Sequence, residues 1–160
     1  MNKKIAIFST VFIVIDQLIK IIISNTISLN DSIEVIKDFF EIANVHNFGA
    51  AWSMFNGNVI MLIIIGLAAL IFIYFSFLHN KKLKKVEEIT YSLLIGGIVG
   101  NLIDRIVLGY VVDYLSFNIF GYMFPVFNLA DIGIVISVFI IIIMSIQEEI
   151  ECKKLKSKKI

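Results

Sequence analysis

Four ionisable side chains interrupt an otherwise apolar stretch, residues 101–131. They are Asp104, Arg105, Asp113 and Asp131. An ionisable group at membrane depth costs roughly 2.5–3.5 kcal/mol even on lenient insertion scales, so it marks a functional site by default. In a chain that is 59% hydrophobic, this stretch is where we look first for chemistry.

Asp113 and Asp131 have no basic neighbour in sequence, and the segment between them is too short for them to lie far apart. Two carboxylates held close together cannot both ionise easily, so they share a proton, and one acts as base while the other acts as acid. Such a pair can activate water for attack on a peptide carbonyl. An ordinary interfacial aspartate is the alternative for Asp113.

Asn128 is a candidate helix N-cap, which would make Asp131 the third residue of the helix, where the macrodipole favours an acid. A capping role does not exclude catalysis. If both hold, Asp131 is the member biased towards the ionised state, and Asp113 is the proton carrier.

The other polar groups suggest structural support. Asn101, Asp104 and Arg105 share a helix face, and the guanidinium beside Asp104 favours its ionised form. Asp16 and Lys20 also share a helix face, which predicts an ion pair that faces the inside of the bundle.

Composition indicates the elements that position these groups. Only 17% of the 160 residues are charged, against about 25% in soluble proteins, so we expect an integral membrane protein with one domain. The fold predicted is all-α, with four transmembrane helices and a small extracytoplasmic β element between the first two. The predicted spans are about 5–23, 59–78, 89–108 and 127–146, with outer loops 24–58 and 109–126 and the strand-like element near residues 39–46.

Basic residues predict the orientation. Two lie at the amino end, four in residues 79–88 and five in the tail, against one in residues 24–58 and none in residues 109–126. Both termini are therefore predicted to be cytoplasmic. Asp104 and Asp131 each lie about 22 Å from the predicted cytoplasmic boundary, which places them in the outer half of the membrane.

Other chemistries lack a motif. Cys152 is the only cysteine, which excludes an intramolecular disulfide. His46 and His79 lack metal-ligand spacing, and no serine-hydrolase, zinc-protease or phosphate-loop motif occurs. We expect no metal, no cofactor and no nucleic-acid partner.

Five motifs in order resemble those of lipoprotein signal peptidase, the type II bacterial signal peptidase. They are Asp16-Gln17 with Lys20, Asn47-Phe48-Gly49-Ala50-Ala51, Gly100-Asn101-Leu102-Ile103-Asp104-Arg105, Val111-Val112-Asp113-Tyr114 and Phe127-Asn128-Leu129-Ala130-Asp131. The resemblance implies an aspartic endopeptidase of the bacterial cytoplasmic membrane that cuts prolipoproteins before a diacylglyceryl-modified cysteine. We expect it to be a monomer surrounded by membrane lipids.

By motif position, the resemblance makes Asp113 and Asp131 the catalytic pair. The positions that would bind substrate or support the site are Asp16, Lys20, Asn47, Gly49, Asn101, Asp104, Arg105, Asn128 and Ala130. It also implies a small sheet resting on the membrane, about residues 27–56, and an element covering the site, about residues 114–125.

Two other classes of function remain as alternatives. In a small proton-coupled transporter, Asp16, Asp104 and Asp131 would relay protons, but the cytoplasmic halves of the spans are almost uncharged. A purely structural membrane-assembly protein would leave Asp113 and Asp131 unexplained.

Overall fold

A computed structural model describes residues 3–50, 54–55, 57–79 and 82–157, apart from the side chains of residues 156 and 157. In chain order the elements are α1 (Lys3–Thr26), β1 (Ser32–Ile36), β2 (Phe40–Asn47), α2 (Val59–Ile73), a π-helical turn (Tyr74–Leu78), α3 (Lys85–Val107), β3 (Val111–Ile119), β4 (Tyr122–Met123) and α4 (Leu129–Ser157).

Four helical segments are long and apolar enough to cross a membrane, by length and composition. They are Lys3–Thr26, Val59–Leu78, Lys85–Val107 and Leu129–Leu155. Each contains most of a predicted span. The last helix continues beyond the predicted end at residue 146, because its polar extension keeps helical spacing and pairs Glu149 with Lys153 at 2.6 Å.

Helix α3 lies at the centre of the bundle and packs against α1, α2 and α4. Two of its glycines make the close approaches possible. A Cβ added to Gly97 would lie 2.5 Å from the carbonyl oxygen of Ala130 on α4, and one added to Gly100 would lie 2.7 Å from Asp16 Oδ2 on α1. The missing side chains at Gly97 and Gly100 let α3 approach both α4 and the Asp16 side chain of α1.

The strands form one antiparallel sheet in the order β1-β2-β3-β4. Its central pair joins β2, which follows α1, to β3, which follows α3; Val45 of β2 lies opposite Asp113 of β3. The sheet therefore connects the two interhelical segments that carry candidate site residues. It packs against α1 and α3.

The all-α prediction with one β element between the first two helices is incomplete. The strand expected near residues 39–46 is present as β2, but residues 109–126 supply β3 and β4 as well. The segment 114–125, expected as a covering element, therefore lies largely within the sheet. Val111, Val112, Asp113 and Tyr114 are all buried, so β3 lacks the alternation of exposed and buried residues that marks a strand in sequence.

Candidate active site

A buried lysine joins the first and third helices. Lys20 Nζ lies 2.9 Å from Asp16 Oδ2 and 2.8 Å from Asp104 Oδ2, and it donates to Asn101 Oδ1 at 3.0 Å. These side chains are almost fully buried. The predicted pair of Asp16 with Lys20 is confirmed, and the same ammonium also pairs with Asp104. One cation thus neutralises two buried carboxylates in part.

The remaining oxygens of this cluster hold other elements in place. Asp16 Oδ1 accepts from the backbone N–H of Ala130 at 3.0 Å, at the start of α4. Asp104 Oδ2 accepts from the backbone N–H of Val112 at 3.2 Å, at the start of β3. The ion cluster therefore fixes the two segments that carry Asp131 and Asp113.

Asp113 and Asp131 are connected through two asparagine side chains. Asn128 Nδ2 donates to Asp113 Oδ1 at 2.7 Å and to Asn101 Oδ1 at 3.2 Å. Asn101 Nδ2 in turn donates to Asp131 Oδ1 at 2.7 Å. Since Asn101 also accepts from Lys20, the orientation of these amides depends on the buried lysine.

Neutral donors hold the other two aspartate oxygens. Asn47 Nδ2 donates to Asp113 Oδ2 at 2.8 Å, and Asn47 Oδ1 accepts from the backbone N–H of Gly49 at 2.9 Å. The backbone N–H of Asn128 donates to Asp131 Oδ2 at 3.2 Å, while the N–H of Asp131 donates to Asn128 Oδ1 at 3.0 Å. This reciprocal arrangement is a capping box, so the predicted N-cap role of Asn128 is confirmed.

The protonation of Asp113 is shifted by its surroundings. Burial, and secondarily the charge of Asp131, raise the pKa of Asp113 to about 7. The hydrogen bonds from Asn47 and Asn128 and the charge of Lys20 oppose this rise. Because the pKa lies near neutrality, Asp113 can both hold and release a proton under physiological conditions.

Arg105 does not have the predicted contact. It donates through Nη2 to the carbonyl oxygen of Gly49 at 2.9 Å and through Nη1 to that of Asn101 at 3.4 Å. The cation in contact with Asp104 is Lys20, because the buried ammonium reaches across from α1. The guanidinium nevertheless lies within electrostatic range of Asp104, Asp113 and Asp131.

The two candidate catalytic carboxylates have no basic neighbour in sequence, but the fold places cations within electrostatic range of them. Within the described ranges, neither Asp113 nor Asp131 forms an ion pair within 4.0 Å. Lys20 and Arg105 still act on the pair at longer range. The folded chain brings these cations close although neither carboxylate has a basic neighbour in sequence.

Two residues that contact the site, Gln17 and Tyr114, were not among the candidate residues. Gln17 Nε2 donates to Asp104 Oδ1 at 2.9 Å and to the carbonyl oxygen of Gly100 at 3.2 Å, so it reinforces the junction of α1 and α3. Tyr114 Oη accepts from the backbone N–H of Leu129 at 3.1 Å. Burial raises the pKa of Tyr114 to about 12, so its hydroxyl stays protonated. A polar residue beside Asp16 in an apolar span was the available signal for Gln17.

No group of three or more His, Cys, Asp or Glu side chains in the described part of the chain is arranged to hold a metal ion. His46 stacks on Tyr110 with ring centroids 3.7 Å apart. The polar groups that converge on Asp113 and Asp131 are amides, backbone N–H groups and cations.

Comparison with known proteins identifies the family. A family model described as signal peptidase (SPase) II matches residues 8–147. Lipoprotein signal peptidases of Staphylococcus aureus strains JH9 and bovine RF122 / ET3-1 are 41% and 40% identical over 144 residues, which cover 90% of this chain and 86% of each relative.

Two solved structures have the same fold. Both are described as a bacterial membrane enzyme solved by the in meso method. The 2.3 Å structure has a TM-score of 0.84 and 36% identity, and the match covers 93% of this chain and 91% of that one. The 1.9 Å structure has a TM-score of 0.79 and 37% identity, with 90% and 93% covered. This chain therefore belongs to the signal peptidase II family, the membrane proteases that remove signal peptides from prolipoproteins.

Proposed function

We propose that this protein is an aspartic endopeptidase that cleaves prolipoproteins immediately before a diacylglyceryl-modified cysteine, with Asp113 and Asp131 as its catalytic residues. The observation that carries the proposal is the arrangement of these two carboxylates. They are joined through Asn128 and Asn101, and each of their four oxygens accepts a hydrogen bond from an uncharged donor.

The two aspartates have different environments, which suits different roles. Asp131 is in the first turn of α4, where the helix macrodipole favours a negative charge. Asp113 has a pKa of about 7 and can hold the shared proton at neutral pH. Asp131 is therefore the general base, and Asp113 is the general acid.

The reaction follows from these roles. Asp131 takes a proton from a water molecule while the water oxygen bonds to the scissile carbonyl carbon. Asp113 gives its own proton to the carbonyl oxygen. The tetrahedral diol then collapses: its hydroxyl proton returns to Asp113, the C–N bond breaks, and Asp131 passes its proton to the leaving amine of the cysteine. Both carboxyl groups regain their initial states, and no other reactant is needed.

Arg105 and Asn47 are positioning residues in this scheme. Arg105 donates to the carbonyl oxygen of Gly49, and Asn47 accepts from the backbone N–H of Gly49. Both contacts hold the segment at Gly49 in place. The buried ion cluster supports the aspartate pair through the side chains of Asp16, Lys20 and Asp104 and through the N–H of Ala130.

The distribution of basic residues indicates on which side of the membrane the site lies. Basic residues cluster at both ends of the chain and in the connection between α2 and α3, and such segments favour the cytoplasmic side. Both termini are therefore cytoplasmic, and the aspartate pair faces the outer side of the cell membrane. A scissile bond near the outer boundary is accessible to water there. The protein acts as a monomer, with lipid-modified prolipoproteins as its partners.

The isosteric variants Asp113→Asn and Asp131→Asn should each lower kcat about 10²- to 10⁴-fold or more, because neither amide can exchange the required proton. The assay is cleavage of a purified diacylglyceryl prolipoprotein in detergent. Asp38→Asn is the matched control, because Asp38 is exposed and has φ +56, a conformation that asparagine also tolerates. Undiminished cleavage by both variants would rule out the aspartate pair; proton flux in liposomes without any cleavage by wild type would favour a transporter.

The pH profile provides a separate prediction. The active form needs a proton on Asp113, so kcat/KM should fall as pH rises through about 7. Asn47→Ala removes a hydrogen bond to the charged form of Asp113, which raises its pKa and should move the alkaline limb upward by about one pH unit.

The control for the Asn47 experiment is Asn25→Ala, since Asn25 is exposed and bonds to Ile21 within α1. Its alkaline limb should coincide with that of wild type. If the alkaline limb of the kcat/KM profile is the same in Asn47→Ala as in wild type, Asp113 is not the group that titrates.

Cys152 tests the orientation directly. It is the only cysteine and is exposed near the carboxyl end of α4. In intact spheroplasts, a membrane-impermeant maleimide should label it only after permeabilisation. In a Cys152→Ser background, Ser32→Cys on β1 should be labelled without permeabilisation. Labelling of Cys152 from outside would reverse the proposed topology.

A further inference from the structure

One face of the sheet carries two rows of apolar side chains that begin beside Asp113. We call it the two-row face. Residues that lie opposite each other on paired strands share a face, and on β3 the alternation places Asp113, Leu115 and Phe117 on the same side. The first row is Ile33, Ile42, Leu115 and Phe127. The second row is Ile36, Phe40, Phe117 and Phe124.

The two-row face is only partly covered by the rest of the described chain, since Ile42 and Leu115 also pack against the buried cluster that contains Ile23 and Val112. Its members on β2, β3 and the segment before α4 are half-buried, and Ile33 and Ile36 on β1 are 56% and 52% exposed. On the opposite side of β3, Val112 is 2% and Tyr114 is 5% exposed, because they pack on Ile23 and Ile27. The sheet thus buries one side fully and leaves the other, apolar side partly open.

The phenylalanine rings make this face continuous. Phe40 and Phe117 stack with centroids 4.7 Å apart, and Phe117 and Phe127 stack at 5.8 Å. Phe124 meets Phe127 edge-on at 5.8 Å. Phe127 directly precedes Asn128, which donates to Asp113. The aromatic surface therefore runs from the candidate active site along the sheet.

The spacing of the rows fits the proposed substrate. Alternate residues on a strand are about 7 Å apart, so the rows through Leu115 and Phe117 lie about 7 and 14 Å from the Asp113 position. The lipid-modified cysteine directly follows the scissile bond under the proposed function. Its thioether and glycerol are about as long as one row spacing, so the acyl chains would begin at the first row.

The chemistry of the face selects an acyl chain over a peptide. The eight side chains include no charged or hydrogen-bonding group. An extended peptide laid across them would leave its backbone groups unpaired, whereas an acyl chain needs only apolar area. The face is continuous with the candidate active site, so its occupant should be attached to the substrate.

We propose that the two-row face binds an acyl chain of the diacylglyceryl group on the substrate cysteine, and that Phe117 at its centre selects for chain length. This inference rests on the proposed function. It assigns the lipid-binding part of that same site to the sheet.

The test compares substrates that carry long or two-carbon acyl chains on the same peptide. Phe117→Ala should raise KM about tenfold for the long-chain substrate and change it less than about twofold for the short-chain one. Phe120→Ala is the matched control, because Phe120 is fully exposed at the β3–β4 turn and lies outside the rows. It should leave KM unchanged for both substrates.

A second measurement needs no variant. A substrate with a diazirine on its acyl chain should cross-link to Leu115, Phe117 or Phe127 after illumination, as located by mass spectrometry. Cross-links confined to the transmembrane helices would overturn the inference. So would an equal KM change for long and short chains in Phe117→Ala, as expected if the bilayer merely covers this face.

Failure of the proposed function and failure of the lipid-binding inference give different results. If wild type cleaves neither substrate, the proposed function fails and this inference with it. If wild type cleaves both with the same KM, only the lipid-binding inference fails. Cleavage of the short-chain substrate by Phe117→Ala at the wild-type rate shows that the variant is folded.

Discussion

One buried ammonium in contact with two carboxylates ties together α1, α3 and the segments that begin α4 and β3. Lys20 is 3% exposed and lies within 3.0 Å of both Asp16 and Asp104. Taking three charges out of water is costly, and the cost is offset only when the geometry is good and the remaining lone pairs are satisfied. Gln17 and the N–H groups of Ala130 and Val112 supply those further bonds.

These additional bonds determine where the candidate catalytic groups lie. The N–H of Ala130 belongs to the first turn of α4, next to Asp131, and the N–H of Val112 precedes Asp113 on β3. The ion cluster is therefore a rigid base from which two separate elements begin at fixed positions. Gly97 and Gly100 allow this convergence, because any side chain there would collide with α4 or with Asp16.

The four buried or half-buried aspartates divide into two pairs by the kind of donor that holds them. Asp16 and Asp104 contact a cation, which compensates part of the cost of burying their charge. Asp113 and Asp131 are held by amides and backbone N–H groups, which orient a carboxylate without neutralising it. The first pair is suited to structure. The second retains the freedom to exchange a proton, as acid–base chemistry requires.

The sequence allowed prediction of features that depend on spacing within one element. The four apolar helices, the pair of Asp16 with Lys20 at i and i+4, and the cap at Asn128 are of this kind. Contacts between elements were not predictable. The bond of Lys20 to Asp104 crosses from α1 to α3, and residues 111–114 of β3 are buried on both faces and so lack alternation. Arg105 was assigned to its sequence neighbour, although its side chain reaches the carbonyl oxygen of Gly49.

The most direct test of this account is the free energy of unfolding of Lys20→Met, measured by reversible unfolding in mixed micelles. Removing the ammonium leaves two buried carboxylates uncompensated, so we expect a loss of about 3–5 kcal/mol. Lys153→Met, which removes the exposed pair with Glu149, should cost less than about 1 kcal/mol. Equal and small losses in the two variants would contradict the central role of Lys20.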